Sequence, residues 1–230
     1  MRVFDYSYLE HGMFPAAFLN TVGGIYERKE RMNRIGTSRE NLSPGRDDAV
    51  FVSSVNGAAL FEETVFETPD SADARRPERD ALWEARRADY GEALARVLED
   101  HDAISVNEEN VLKLHGIMTS RSGAKGGRYK EVDGPVRELG LRGNRVIRFQ
   151  PVSAEETKEY AEALFKAFAN AEKNPEINKL LLIPCFVLDF LCVRPFEEGN
   201  ERMATLISVL LMLRNGFDVW RRVSFEAALC

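Results

Sequence analysis

Residue types that do phosphate chemistry are concentrated in one segment, Arg194-Pro195-Phe196-Glu197-Glu198-Gly199-Asn200-Glu201-Arg202-Met203-Ala204-Thr205. It lies between two strongly apolar stretches. A loop ending in Gly199-Asn200 would therefore open a helix and leave its first backbone N–H groups without partners. Such a helix start favours anions, phosphates above all. Arg202, in the first turn of that helix, would add a charge-assisted contact to the same anion. Glu198 would hold a Mg2+ that bridges phosphate oxygens. The same residues also suit an ordinary acidic turn between helices, and physics alone leaves that reading open.

The remaining candidates point away from metal and nucleophile chemistry. His115 lies in the apolar-periodic stretch LKLHGIM, His101 at a helix end and His11 in the N-terminal stretch. A lone histidine in such places is more often structural or solvent-facing. Cys185 and Cys192, seven residues apart, share one face of an apolar helix and read as core. With Cys230 they make no CxxC pair and no His–Cys ligand spacing, which excludes a disulfide scaffold and a zinc ribbon. Free thiols fit a cytoplasmic protein. The charge balance, Lys+Arg 31 against Asp+Glu 37 for a net −6, argues against nucleic-acid binding. The N-terminus lacks a basic head followed by an apolar core, so no signal peptide is expected. Leu180 to Val193 is interrupted by Pro184 and Asp189 and falls short of the ~18 apolar residues of a membrane span; it reads as a buried helix. The mixed-sign runs ERKERMNR and DARRPERDALWEARRAD read as solvated helix faces, and Trp83 and Trp220 as packing residues.

A chain of 230 residues, 44% hydrophobic, is one domain or two small ones. Phe18, Leu19, Val22, Ile25 and Tyr26 space a helix over 15–34. Asp47 and Asp48 cap a second helix that carries Val50, Phe51, Val55, Leu60 and Phe61, and 68–77 reads as a loop. A long helix from about 78 to 100 turns Leu82, Ala85, Leu94, Val97 and Leu98 inward. Another spans 107–119, with Ser105 and Glu108 as a capping box. Glycines then cluster at 123, 126, 127, 134, 140 and 143, and VRELGL and NRVIRFQ between them read as two short strands or a hairpin. Ser153 caps a helix to about 171, with Glu155 and Glu156 suiting its positive end. The last two helices cover 175–193 and 199–213. The expected fold class is all-α with one small β excursion.

RPFEEGNERMAT resembles the Fic (Fido) motif H-P-F-x-[D/E]-G-N-G-R-x-x-R. LLLIPCFVLDFLCVRPF before it and LLMLRNGFDVWRRVSFEA after it are similar to the flanking family helices. GGRYKEVDGPVRELG…FQPVSAEE resembles the family's flap hairpin and following helix, and LNTVGGIYERKERM its N-terminal helix. The resemblance covers most of the chain and implies a Fic-type helical domain with a β-hairpin flap. It places an N-terminal helical segment at 1–46 and a Fic-like core at 47–230, or one continuous domain. Within the core it puts an inhibitory helix at about 47–62, the flap at about 128–150 and the motif at 194–205.

Members of that family transfer AMP from ATP to a hydroxyl of a target protein. A histidine acts as base, an acidic residue holds Mg2+, and a glycine-rich loop holds the phosphates. The resemblance thus implies ATP and Mg2+ as cofactors and a target protein aligned along the flap by strand-like pairing. It makes Phe196 the buried anchor, Glu198 the metal ligand, and Gly199, Asn200 and Arg202 the phosphate cradle. Four positions depart from the pattern. Arg194 stands in the histidine's place, and a guanidinium cannot serve as base near neutral pH. Glu201 replaces the second loop glycine, and Thr205 the last arginine. Asn56-Gly57 stand where the inhibitory motif [S/T]-x-x-x-E-[G/N] carries its glutamate and glycine, with Val52 in the Ser/Thr position. The expectation is a family member that is inactive or strongly impaired. Glu197, Glu198 and Glu201 are expected to repel a polyphosphate unless Mg2+ offsets them. The alternatives are a non-catalytic protein-binding module using the flap, and a divergent enzyme acting on another phosphate-bearing substrate.

Overall fold

The computed structural model describes residues 3–34, 50–57, 76–139, 144–218 and 223–228. Its helices are α1 (Tyr8–His11), α2 (Ala16–Arg34), α3 (helical residues 50–57), α4 (Arg76–Asp100) and α5 (Glu108–Met118). After β1 (Val136–Leu139) and β2 (Arg145–Phe149) follow α6 (Thr157–Lys173), α7 (Lys179–Val193), α8 (Asn200–Arg214) and a 3-10 turn, Glu226–Ala228. The all-α expectation with one hairpin holds. The strands pair antiparallel, Arg137 opposite Ile147 and Leu139 opposite Arg145, with a register shift between Val136 and Arg137. Leu60, Phe61, Trp220, Cys230 and most of the 68–77 loop lie outside the described residues.

The bundle is built around α8. Arg202 through Leu211 are all buried, so this helix is surrounded on every face, as an all-round apolar sequence requires. It packs on α4 and α7; α7 in turn packs on α6, and α4 on α5. Phe168, Phe186, Phe190, Met118 and Leu206 fill the space between them and are fully buried. Pro184 sits inside α7 and removes one backbone donor there. Cys185 and Cys192 are half-buried at the margin of this core rather than within it.

Three caps and faces differ from the sequence reading. Asn107, not Ser105, caps α5, accepting from the Asn110 N–H at 2.9 Å. Ser105 instead accepts from the amide groups of Asn107 and Asn110. Ser153 accepts from the Glu156 N–H and donates to its carboxylate, closing the turn that precedes α6. Helix α7 begins at Lys179, where Asn178 accepts from the Leu180 N–H, four residues after the expected start at Pro175.

The apolar faces of α2 and α3 are corrected more strongly. Phe18 and Leu19 are exposed and Val22 alone is buried in α2, because that helix meets the body through Tyr26 and Lys29. Tyr26 donates to Asn178, while Lys29 donates to the Asn215 carbonyl and lies over the Phe217 ring. Leu82, near the start of α4, is likewise exposed, whereas Asp89, Tyr90, Ala93, Leu94, Val97 and Leu98 are buried. In α3, Phe51 and Val52 face outward while Ser53, Ser54 and Gly57 face inward. The cause is close approach. A Cβ on Gly57 would come 2.4 Å from the Tyr90 ring, and one on Gly91 would come 3.3 Å from the Ser54 Cβ.

Tyr90 cannot yield to such a contact, since its fully buried hydroxyl donates to Glu226 at 2.6 Å. Burial and the Glu226 carboxylate push that phenol well above its usual range. Gly57→Ala is therefore expected to destabilise by about 1–3 kcal/mol, as overpacking does. Gly23→Ala, in α2 with nothing within 4 Å, is expected to stabilise by about 0.5–1 kcal/mol. Chemical denaturation of both variants checks the pair of opposite signs.

Candidate functional site

Helix α7 ends where Pro195 forbids its continuation. Arg194 takes a left-handed conformation, φ 46, and its N–H donates to the Phe190 carbonyl. The chain then turns inward and buries Phe196, which stacks on His115 with ring centroids 3.7 Å apart and planes 4° from parallel. Asn200, fully buried, closes the loop with two bonds. Its carbonyl oxygen accepts from the Phe196 N–H at 3.0 Å, and its amide donates to the Phe196 carbonyl at 2.9 Å. Gly199 makes the last corner at φ 75, a conformation that favours glycine, and no side chain caps the helix it begins.

Elements beneath hold this loop in place. The Gly127 N–H donates to His115 Nδ1 at 3.1 Å, so the proton sits on Nε2 and is donated to the Glu198 carbonyl at 3.1 Å. Burial, opposed by that bond and aided by the charge of Arg202, lowers the imidazole from the usual 6.5 to about 4. His115 is therefore neutral and structural. Lys130 holds the other side: its N–H donates to the Pro195 carbonyl, and its ammonium donates to the Val193 carbonyl at the end of α7. Its burial, with the nearby Arg194, lowers the Lys130 ammonium to about 8. The turn after α5, which leads toward Gly127 and Lys130, is fixed by Asp89. That carboxylate is fully buried and accepts from the Arg121 and Ser122 N–H groups, the Ser120 hydroxyl and the Arg121 guanidinium.

On the outer face of the loop every carboxylate meets a cation. Arg194 pairs directly with Glu201, so two of the positions that depart from the motif are in contact. Glu197 pairs with Lys125 at 3.1 Å. Glu198 faces Arg202 at 3.5 Å and Arg86 of α4 at 3.7 Å. The expectation that three carboxylates repel a polyphosphate is thereby corrected, since Lys125, Arg194, Arg202 and Arg86 offset them. Arg202 is buried to 6% exposure and its Nη1 has no hydrogen-bond partner. Burial first, then the charge of Arg86, pushes its guanidinium below the usual value, against Glu198, Asp89 and Tyr90.

The remaining sequence candidates are placed as follows. The Thr205 hydroxyl donates to the Glu201 carbonyl within α8, and the Asn56 amide donates to the Val52 carbonyl within α3. Each is thus bonded to its own helix, and Gly57 packs on Tyr90. Arg86, His115, Lys125, Lys130 and Asp89 were missing from the sequence-based site. Arg86 and Asp89 sat in a run read as a solvated face. Only the glycine-rich turn before Lys130 hinted that this stretch approaches another backbone.

Chemically, the loop offers the first N–H groups of α8, a buried arginine with an unused donor, and a carboxylate beside it. That set suits a phosphate group. Among the described residues no group of three or more His, Cys, Asp and Glu could hold a metal. A divalent cation at Glu198 would therefore draw its other ligands from phosphate oxygens and water, which is how Mg2+ is usually bound. Arg194 supplies no base.

Residues 105–212 match the model of the Fic/DOC family. Solved structures of similar fold include a Fic domain containing signaling protein from Bacteroides thetaiotaomicron VPI-5482, with 17% identity and TM-score 0.65, the match covering 85% of this chain and 73% of that one. A Fic family protein from Desulfovibrio desulfuricans G20 has 19% identity and TM-score 0.67, over 94% of this chain and 63% of that one. Fic-1 from C. elegans has 19% identity and TM-score 0.62, over 87% of this chain and 58% of that one. At these identities the likeness is one of fold. No curated protein matches the sequence. No helix among the described residues is long and apolar enough to cross a membrane.

The buried imidazole makes the loop acid-sensitive. A histidine whose folded value lies below its unfolded one contributes stability above the unfolded value and loses it as pH falls through the folded one. Going from pH 6.5 to about 4 should remove on the order of 3 kcal/mol through His115. Thermal melts across that range check this. The His115→Gln variant, which keeps a donor and an acceptor but no titration, should show a flatter profile.

Proposed function

We propose, from the match of residues 105–212 to the Fic/DOC family model, that this chain is a relative of the protein AMP-transferases that keeps a phosphate cradle and has lost most or all of its transfer activity. The observation that carries the reading is the Arg194–Glu201 pair. In the family resemblance a base stands at the first of these positions and a small residue at the second. Here both are replaced by side chains that hold each other. Loss of a positioned base typically removes about 10²–10⁴-fold in rate. The cradle would consist of the N–H groups of Asn200, Glu201 and Arg202 with the Arg202 guanidinium, and its ligand would be the polyphosphate of ATP. Glu198, 40% exposed as a side chain, would hold Mg2+, which would offset phosphate charge.

A second reading is favoured by the hairpin. Val132, ahead of β1, and Ile147 and Phe149 of β2 are exposed there. A protein-binding role of the flap without catalysis would use those side chains and the strand edge. The base of the flap is firm, since Asp133 accepts from the Ala154 N–H and Lys130 is bonded to the motif loop.

An AMP-transfer assay with labelled ATP and Mg2+ tests the first reading. The native chain is expected to label neither itself nor other proteins. Arg194→His alone should stay inactive, because Glu201 is left beside the new histidine without its partner. Arg194→His with Glu201→Gly should restore transfer. Strong labelling by the native chain would contradict the proposal.

A further inference from the structure

We propose that the outer side of β2 is a docking strip for an extended, acidic segment of a partner protein, one in which carboxylate and apolar side chains alternate. The inference rests on the second reading above, in which the flap binds protein, and adds the charge and residue pattern of what it binds. Residues 136–149 carry four arginines and one glutamate, a net +3, in a chain whose net charge is −6. Along β2, Ile147, Arg148 and Phe149 are all exposed, Ile147 at 61% and Phe149 at 39%. Side chains alternate across a strand, so the two apolar ones lie on one face and Arg148 on the other. Arg137 of β1 stands opposite Ile147 and shares its face. It too is exposed, and its guanidinium meets no carboxylate among the described residues. The sheet has two strands among those residues, so β2 has β1 on one side and no strand on the other.

This pattern specifies the partner. A strand added beside β2 sets its side chains opposite those of β2, about 4.5–5.5 Å away across the pair. Apolar side chains then cover Ile147 and Phe149, and carboxylates at the alternate positions meet Arg148. Charged residues also guard sheet edges against chance pairing, but a purely protective edge would not expose isoleucine and phenylalanine beside its charges. The same arginines would attract the phosphate backbone of a nucleic acid. The acidic remainder of the chain repels so long a polyanion, whereas a short acidic segment stays within the hairpin. The base of the hairpin is bonded to the body, where Asp133 accepts from the Ala154 N–H and the Lys130 N–H donates to the Pro195 carbonyl. The strip is therefore in place before a partner arrives, which lowers the ordering cost of binding.

Fluorescence anisotropy with labelled peptides of about ten residues, on the full chain at low salt, tests the proposal. One peptide alternates glutamate with valine, and the other alternates lysine with valine. The native chain is expected to bind the glutamate peptide about tenfold or more tightly than the lysine peptide, with an affinity that falls as salt is added. Arg137→Glu with Arg148→Glu should abolish that preference, and Arg137→Lys with Arg148→Lys should keep it. Circular dichroism and melting of each variant confirm that it is folded. Equal binding of the two peptides, or an unchanged preference in the glutamate variant, would overturn this inference and leave the flap as a protein-binding element. An oligouridylate of similar length bound as tightly as the glutamate peptide would overturn it in favour of a nucleic-acid surface. Binding of neither peptide would overturn the flap reading together with it.

Discussion

The arrangement depends on a small buried clasp. Asn200 closes both backbone groups of Phe196, and the Phe196 ring lies flat on His115. Together they force the chain to leave α7, turn at Gly199 and begin α8 with its N–H groups facing outward. Everything beneath serves that clasp. Asp89 fixes the turn after α5, Gly127 bonds to His115, and Lys130 bonds to the end of α7. The polar groups involved are almost wholly buried, where an unmade hydrogen bond costs about 1–3 kcal/mol. A loop held this way keeps its shape whatever stands on its outer face.

That separation explains how the outer face can carry a different set of residues on the same backbone. Arg194 and Glu201 touch each other, and Glu198 lies between Arg86 and Arg202. Read one at a time, each change looks like a lost function: no base, a bulky residue in the cradle, an arginine gone. Seen together, two of them form an ion pair that spans from the end of α7 to the first turn of α8. The charges that were expected to repel a ligand are balanced within the site. The clasp belongs to the fold, and the ion pairs determine what the fold can bind.

Much of this was legible in the sequence, for identifiable reasons. The core helices announce themselves because Leu94, Val97 and Leu98, or Phe186 and Phe190, repeat at helical spacing and find partners in the bundle. The hairpin follows from two short β-prone runs between glycines. The motif residues fall on one loop because they are contiguous. What was not legible depends on distance. Arg86 lies more than a hundred residues before Glu198, and nothing local in its run of charges marks it as facing inward. His115 looked structural, and it is, but its role needs Gly127 and Glu198 in place. On α3 the larger apolar residues face outward because only serine and glycine fit against Tyr90 and Gly91. Periodicity finds apolar faces, and this interface is built from small ones.

The central claim is that the two altered motif positions act as one interaction. A double-mutant cycle on Arg194→Ala and Glu201→Ala, read as unfolding free energy by chemical denaturation at neutral pH, tests it most directly. Both side chains are about one-fifth exposed, 21% and 23%, so screening is partial. The account predicts a coupling of about 0.5 kcal/mol or more, weakened by added salt. Additivity within about 0.3 kcal/mol at low salt would contradict it.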